Sequence, residues 1–102
     1  MFGIFKNLLG SKLDLSEVVA KGAIILDVRT VGEFKQGHGK TSKNIPLDQV
    51  QNKIDKINGW GKPIITCCAS GMRSASAASI LKNHGIEAYN GGSWQSANAL
   101  TR

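Results

Sequence analysis

Two cysteines stand side by side in the stretch Ile65-Thr66-Cys67-Cys68-Ala69-Ser70-Gly71-Met72-Arg73-Ser74, a few residues before an arginine. A thiolate followed at short range by a glycine and an arginine is equipment for covalent transfer: the sulfur attacks, and amides and a guanidinium hold the anion that forms. Counting from Cys67 to Arg73 gives C-x5-R, the spacing of cysteine phosphatases and arsenate reductases. Counting from Cys68 gives C-x4-R, a tighter loop. The spacing alone leaves both readings open.

An ordinary thiol ionises near pH 8.5 (about) and is mostly protonated at neutral pH, so a reactive one needs stabilisation of its anion. Residues Ala69, Ser70, Gly71, Met72, Arg73 and Ser74 can supply it by turning successive backbone N–H groups inward and by presenting the positive end of a following helix. Gly71 admits the backbone conformations that a tight curl demands. Arg73 adds a permanent positive charge. Cys67, one residue earlier on a strand, points its side chain the other way and reads as a small buried hydrophobe.

The elements that must position this loop are legible as strands alternating with helices. Ala23 to Val28 is a continuous apolar run rich in branched residues, the pattern of a strand covered on both faces, and Pro63 to Cys67 is a second strong strand. Ile86 to Tyr89 is a third strand ended by Asn90-Gly91-Gly92, and Asn44-Ile45 a brief extended piece closed by Pro46. Helices are expected from Asp14-Leu15-Ser16-Glu17, a capping box with Leu13 stapling onto Val18, to Lys21; over Thr30–Gln36; over Leu47–Ile57; over Met72–Asn83, capped by Gly85; and over Ser93–Leu100. The class is therefore α/β, a parallel central sheet with helices on both faces. In such sheets ligands sit beyond the carboxyl ends of the strands, which is where Cys68 leaves its strand.

Composition bounds the rest. A chain of 102 residues, 41% apolar and 20% charged, holds one domain and one core. Thirteen Lys plus Arg against seven Asp plus Glu leave a formal charge of +6, a field that draws small anions or acidic partners. The lysines are scattered without aromatic interleaving, so no nucleic-acid partner is expected. Adjacent cysteines cannot staple a fold, and two cysteines with two distant histidines make no metal-ligand spacing, so neither metal nor cofactor is called for. With no transmembrane run or leader pattern and with unpaired thiols, the expected location is the reducing cytoplasm. Residues 1–12 form a separate segment in which Phe2, Phe5 and Leu9 share one helical stripe; residues 13–102 form the domain.

Cys68-Ala69-Ser70-Gly71-Met72-Arg73-Ser74 resembles the active-site loop of the rhodanese-like sulfurtransferases, with glycine at the fourth place and arginine at the sixth. The likeness continues through Leu26-Asp27-Val28-Arg29, Glu33-Phe34, Gly37-His38, Asn44-Ile45-Pro46-Leu47 and Gly91-Gly92 with Trp94, in the family's usual order. It implies the rhodanese-like three-layer fold and Cys68 as the nucleophile, since the phosphatase pattern would want glycine where Ser70 stands. It implies, further, a Cys68 persulfide that takes sulfane sulfur from thiosulfate or another persulfide donor and passes it to a thiol, a cyanide-like acceptor or a protein sulfur-relay partner. Residues 69–74 would bind the donor, and Asp27 and Arg29 would sit beneath the loop and fix it. Ala69 stands where the family often has a base, so thiosulfate is expected to be a poor donor. A non-catalytic interaction module is the remaining reading of this fold. His38 and His84 read as packed or helix-end residues.

Overall fold

The computed structural model describes residues 15–101. The amphipathic stripe of residues 1–12 and the capping and staple residues Asp14 and Leu13 lie outside them. Among the described residues the chain runs α1 (Leu15–Ala20), β1 (Ile24–Asp27), α2 (Val31–Gln36), β2 (Lys43–Asn44), α3 (Leu47–Val50), a 3-10 turn (Gln51–Lys53), α4 (Ile54–Gly59), β3 (Ile64–Cys68), α5 (Met72–Asn83), β4 (Ala88–Ser93) and α6 (Trp94–Ala99). The strands lie in the order β2-β1-β3-β4, and every pairing is parallel.

Alternation along the two central strands builds two cores. Leu26, Val28, Ile64 and Cys68 face one side, packing with Val50, Ile57, Ala77, Ala78 and Leu81 from α3, α4 and α5. Ile25, Ile65 and Cys67 face the other, packing with Val18 of α1 and Ala97 of α6. All five residues of β3 are buried, which suits its branched and apolar side chains, and the one polar member, Thr66, gives its hydroxyl to the carbonyls of Ser74 and Tyr89. The expected three-layer α/β architecture is the one observed.

Local chemistry explains the element ends. Thr30 caps α2 through a full capping box: its hydroxyl accepts from the Glu33 N–H at 3.1 Å, and the Glu33 carboxylate accepts from the Thr30 N–H at 2.9 Å. Helix α5 ends as expected on Gly85, whose φ of 79° allows its N–H to reach Lys82 O and the Ile86 N–H to reach Leu81 O, a Schellman closure. The helix expected over Leu47–Ile57 is instead broken by the 3-10 turn, with Lys53 at φ −113°, ψ 15°. Its apolar stripe survives the break, because Leu47, Val50, Ile54 and Ile57 all reach the same core.

The largest departure from expectation is β4. Asn90-Gly91-Gly92 does not end the strand but carries it on to Ser93, through an irregularity in which Thr66 pairs with Asn90 and Cys68 with Ser93. One extra residue on β4 makes this a bulge, and Gly92 at φ 80° supplies the left-handed conformation it needs. Gly91 is required for a different reason: a Cβ there would lie 2.6 Å from Ile65 Cγ2 and 3.0 Å from Thr66 O. Gly91→Ala is therefore expected to cost about 1–3 kcal/mol by overpacking a site with backbone on one side. A urea midpoint unchanged from wild type would contradict this account of the bulge.

Candidate active site

Strand β3 delivers Cys68 to its carboxyl end, and Gly71, at φ 105°, turns the chain into the first residues of α5. The curl closes on the sulfur itself. Cys68 Sγ accepts the Gly71 N–H at 3.0 Å and the Ser74 N–H at 3.4 Å, with Ser74 Oγ also 3.4 Å away. The thiol is covered, at 1% exposed. Burial pushes its pKa up, but the hydrogen bonds of the Ser74 hydroxyl and of the Ser74, Gly71 and Ser70 amides outweigh that and bring it to about 7.

Cys67 has the opposite environment. It is wholly buried on the other face of the sheet, in the cluster of Val18, Ile25, Ile65 and Ala97. Burial, reinforced by the negative charge of Asp27, pushes its thiol up to about 12. The C-x5-R reading through Cys67 thus loses its nucleophile: the arginine and the amide curl lie on the Cys68 side.

Of the remaining loop residues, Ala69 and Ser70 are exposed and Met72 projects outward at 78% exposed. Arg73 does not point its charge at the sulfur unaccompanied, as expected from sequence. Its guanidinium forms a two-pronged pair with Glu33, Nη1 to Oε1 at 2.8 Å and Nη2 to Oε2 at 3.0 Å. That bond, with the Thr30 amide, holds the Glu33 carboxyl down at about 2. Between the strand ends and this pair lies a cleft of about 350 Å³ lined by Val28, Thr30, Pro46, Leu47, Asp48 and Arg73.

Asp27 pairs with Cys67 in the sheet and Arg29 follows two residues on; their side-chain bonds go to each other and to the backbone at Glu33 and Gly37, with none to residues 69–74 among the described residues. Both are buried, and the Arg29 Nη2 meets Asp27 Oδ2 at 2.7 Å while its Nε reaches both carboxylate oxygens. The same guanidinium donates to the backbone oxygens of Glu33 at 3.3 Å and Gly37 at 2.8 Å, and lies 4.9 Å from the centre of the Trp94 ring. Asn44 Nδ2 ties down the carbonyls of Asp27 and Arg29. His38 stacks on Phe34 and bonds its carbonyl, and His84 bonds Ile80 O at the end of α5, so both histidines serve helix ends.

Two residues of the site carried no such reading in the sequence. Glu33 stood only as a landmark, although Thr30-Val31-Gly32-Glu33 is a legible capping-box signature. Asn90, in Asn90-Gly91-Gly92, reads in the sequence as the end of a strand. Its Oδ1 accepts from the Ser74 hydroxyl at 2.6 Å and from the Gly92 N–H at 3.0 Å, and its Nδ2 donates to Gly71 O at 3.1 Å.

A parallel α/β domain with a cysteine at a strand end, ringed by the amides of the next turn, defines a class of covalent sulfur or phosphorus chemistry. The model of the Rhodanese-like domain matches residues 11–97, and the chain belongs to that family. It is 36% identical over 81 residues to a tRNA sulfurtransferase of Thermoplasma acidophilum, covering 79% of this chain and 16% of that protein. Among solved structures it is similar to reduced Bacillus anthracis CoADR-RHD, with a TM-score of 0.70 and 31% identity over 84% of this chain and 15% of that one. It is likewise similar to a rhodanese with anions from E. coli, with a TM-score of 0.66 and 26% identity over 72% of this chain and 89% of that one. The chain spans 16% to 62% of the length of five curated relatives it matches. No helix among the described residues is long and apolar enough to cross a membrane.

Two outcomes are expected from this geometry. Thiolate absorbance of the intact protein should rise with pH about a midpoint near 7, since the sulfur that titrates is Cys68; a single rise near the free-thiol value would refute the role given to the loop amides. Arg29→Met should lower the unfolding free energy by about 3–5 kcal/mol, because it strands a buried carboxylate. A loss under about 1 kcal/mol in urea titration would show the pair to be dispensable.

Proposed function

We propose that the chain is a sulfurtransferase working through a Cys68 persulfide. One observation carries this reading: two amides, with the Ser74 hydroxyl beside them, converge on the Cys68 sulfur and hold its pKa at about 7. In the first half-reaction the Cys68 thiolate attacks the outer sulfur of the donor. A new S–S bond forms, the donor's own S–S bond breaks, and the leaving group departs with the electron pair, as sulfite from thiosulfate or as a thiolate from a persulfide. In the second, a thiolate or cyanide-like acceptor attacks the terminal sulfur, and Cys68 leaves as its thiolate. Dividing the transfer in this way predicts ping-pong kinetics.

The amides of Gly71 and Ser74 suit a sulfur anion at this position, and the pair Asp27–Arg29 acts on the loop indirectly, by fixing the backbone at Glu33, whose carboxylate holds Arg73. Since Cys68 is 1% exposed, the donor reaches its sulfur as the loop yields, and the small side chains of Ala69 and Ser70 offer little to displace. The donor is read as a persulfide rather than thiosulfate. Arg73 is occupied by Glu33 and Ala69 carries no charge, so a dianion finds no unshared cation in these two places. The relatives named as sulfurtransferases are consistent with this, and a protein partner in a sulfur relay fits the same chemistry. In this reading residues 13–102 are the catalytic domain, residues 1–12 a separate segment, and two unpaired thiols suit a reducing cytoplasm.

Intact-mass measurement after incubation with a low-molecular-weight persulfide, and in parallel with thiosulfate, tests this. The expected result is one added sulfur, kept in Cys67→Ala, lost in Cys68→Ala, and formed faster from the persulfide. No adduct from either donor would leave the non-catalytic module, and an adduct that survives Cys68→Ala would remove Cys68 from the mechanism.

A further inference from the structure

The hydroxyl of Ser74 has one hydrogen and two neighbours that could receive it. Asn90 Oδ1 is 2.6 Å away and Cys68 Sγ 3.4 Å away, and Ser74 is 0% exposed, so bulk water does not serve it. The hydrogen therefore lies toward Asn90. The Asn90 amide cannot be turned round to change this, because its Oδ1 also takes the Gly92 N–H at 3.0 Å and its Nδ2 gives a hydrogen to Gly71 O at 3.1 Å. With its hydrogen committed, the Ser74 oxygen offers a lone pair to the Cys68 S–H. The three groups form one directed chain, from Cys68 S–H to Ser74 Oγ and from Ser74 O–H to Asn90 Oδ1.

When the sulfur loses its proton the chain no longer suits it. The Gly71 and Ser74 amides remain donors, but the hydroxyl donates to sulfur only by leaving Asn90. Asn90 and the sulfur anion compete for one hydrogen. We propose that Asn90 is a positioning residue that holds the Ser74 hydroxyl hydrogen away from Cys68 in the resting state, so that Ser74 first accepts from the thiol and then turns to donate to the sulfur anion.

Other charged groups around Cys68 are accounted for. From α5 comes Arg73, neutralised by Glu33 of α2; from β3, Cys67, which stays protonated; from β1, the internally paired Asp27 and Arg29. On β4 the ionisable side chain is Tyr89, whose hydroxyl bonds Glu87 and which packs with the opposite core. None of these is altered by Asn90→Ala, so a shift in that variant reports the hydrogen-bond chain; Asn90→Asp adds a carboxylate whose own charge raises the midpoint, and only the part of its shift lost in the Ser74→Ala background reports the chain.

The proposal rests on Cys68 being the reactive thiol, but its test needs no sulfur donor. Thiolate absorbance is titrated on the full chain as wild type, Asn90→Ala, Asn90→Asp, Ser74→Ala and the two double variants, each checked for folding by circular dichroism. Asn90→Ala frees the hydroxyl for the sulfur and should lower the midpoint by about half a unit to one unit, whereas Asn90→Asp grips the hydrogen harder and should raise it by about one unit. In the Ser74→Ala background the effect of Asn90→Ala should vanish and that of Asn90→Asp should shrink. A residue that merely braced the loop would raise the midpoint in both variants, since a loosened curl gives fewer donors to the anion. A rise in Asn90→Ala, or shifts of undiminished size without Ser74, overturns the proposal. Should Asn90→Ala not fold, Asn90→Asp retains the Oδ1 acceptor, and an equal rise with and without Ser74 is decisive against it. Failure of persulfide formation would leave these midpoints untouched, so the two ideas fail separately.

Discussion

The buried guanidinium of Arg29 is the interaction on which the arrangement of this domain depends. It neutralises Asp27 at the end of β1, holds the backbone at Glu33 and Gly37, and lies against the ring of Trp94 at the start of α6. Through Glu33 it reaches one step further, because the carboxylate of that residue grips Arg73 on the first turn of α5. A charge this deep is tolerated only with its full set of acceptors, and those are the Asp27 carboxylate together with the backbone oxygens of Glu33 and Gly37 at the two ends of α2. The cost of burying the charge thus becomes the means of fixing several loops to one point.

On that foundation the same two residue types, one place apart, acquire opposite chemistry. Cys67 and Cys68 share a strand, yet alternation sends one into an apolar layer and the other under a turn whose amides point at it. Desolvation works against both anions. Only for Cys68 do hydrogen bonds overcome it, so its pKa is brought down to about 7 while burial pushes that of Cys67 up to about 12. Pleating, a property of any strand, decides which sulfur meets the amides of the turn.

How much of this could be read beforehand follows from the range of each interaction. Strands β1 and β3, helix α5 from Met72 to Asn83, its closure at Gly85 and the curl at Gly71 are set by neighbours a few residues apart, and all were legible. The bulge in β4 was not. Asn-Gly-Gly favours a turn locally, and only the pairing of Thr66 with Asn90 and of Cys68 with Ser93 keeps it in the sheet. The site residues divide likewise: Cys68, Gly71 and Ser74 lie in one loop, whereas the bonds of Glu33 to Arg73 and of Asn90 to Ser74 join partners 40 and 16 positions apart. Contacts of that separation leave no periodic trace in a single sequence.

The pairing of Arg73 also changes where the site's positive potential comes from. A guanidinium held by a carboxylate through two short hydrogen bonds presents little net charge to a ligand, while amide dipoles fixed within 3.0–3.4 Å of a sulfur act at full strength on the charge that forms there. Such a site discriminates by position more than by total charge. It favours an anion centred on the sulfur itself over one, like a sulfonate, whose charge sits an atom or two farther out. The neutral side chain at Ala69 acts in the same direction. Under the proposed chemistry, holding the persulfide and selecting the donor are therefore two consequences of one structural fact: the loop is wrapped around the sulfur and its arginine is paired with Glu33.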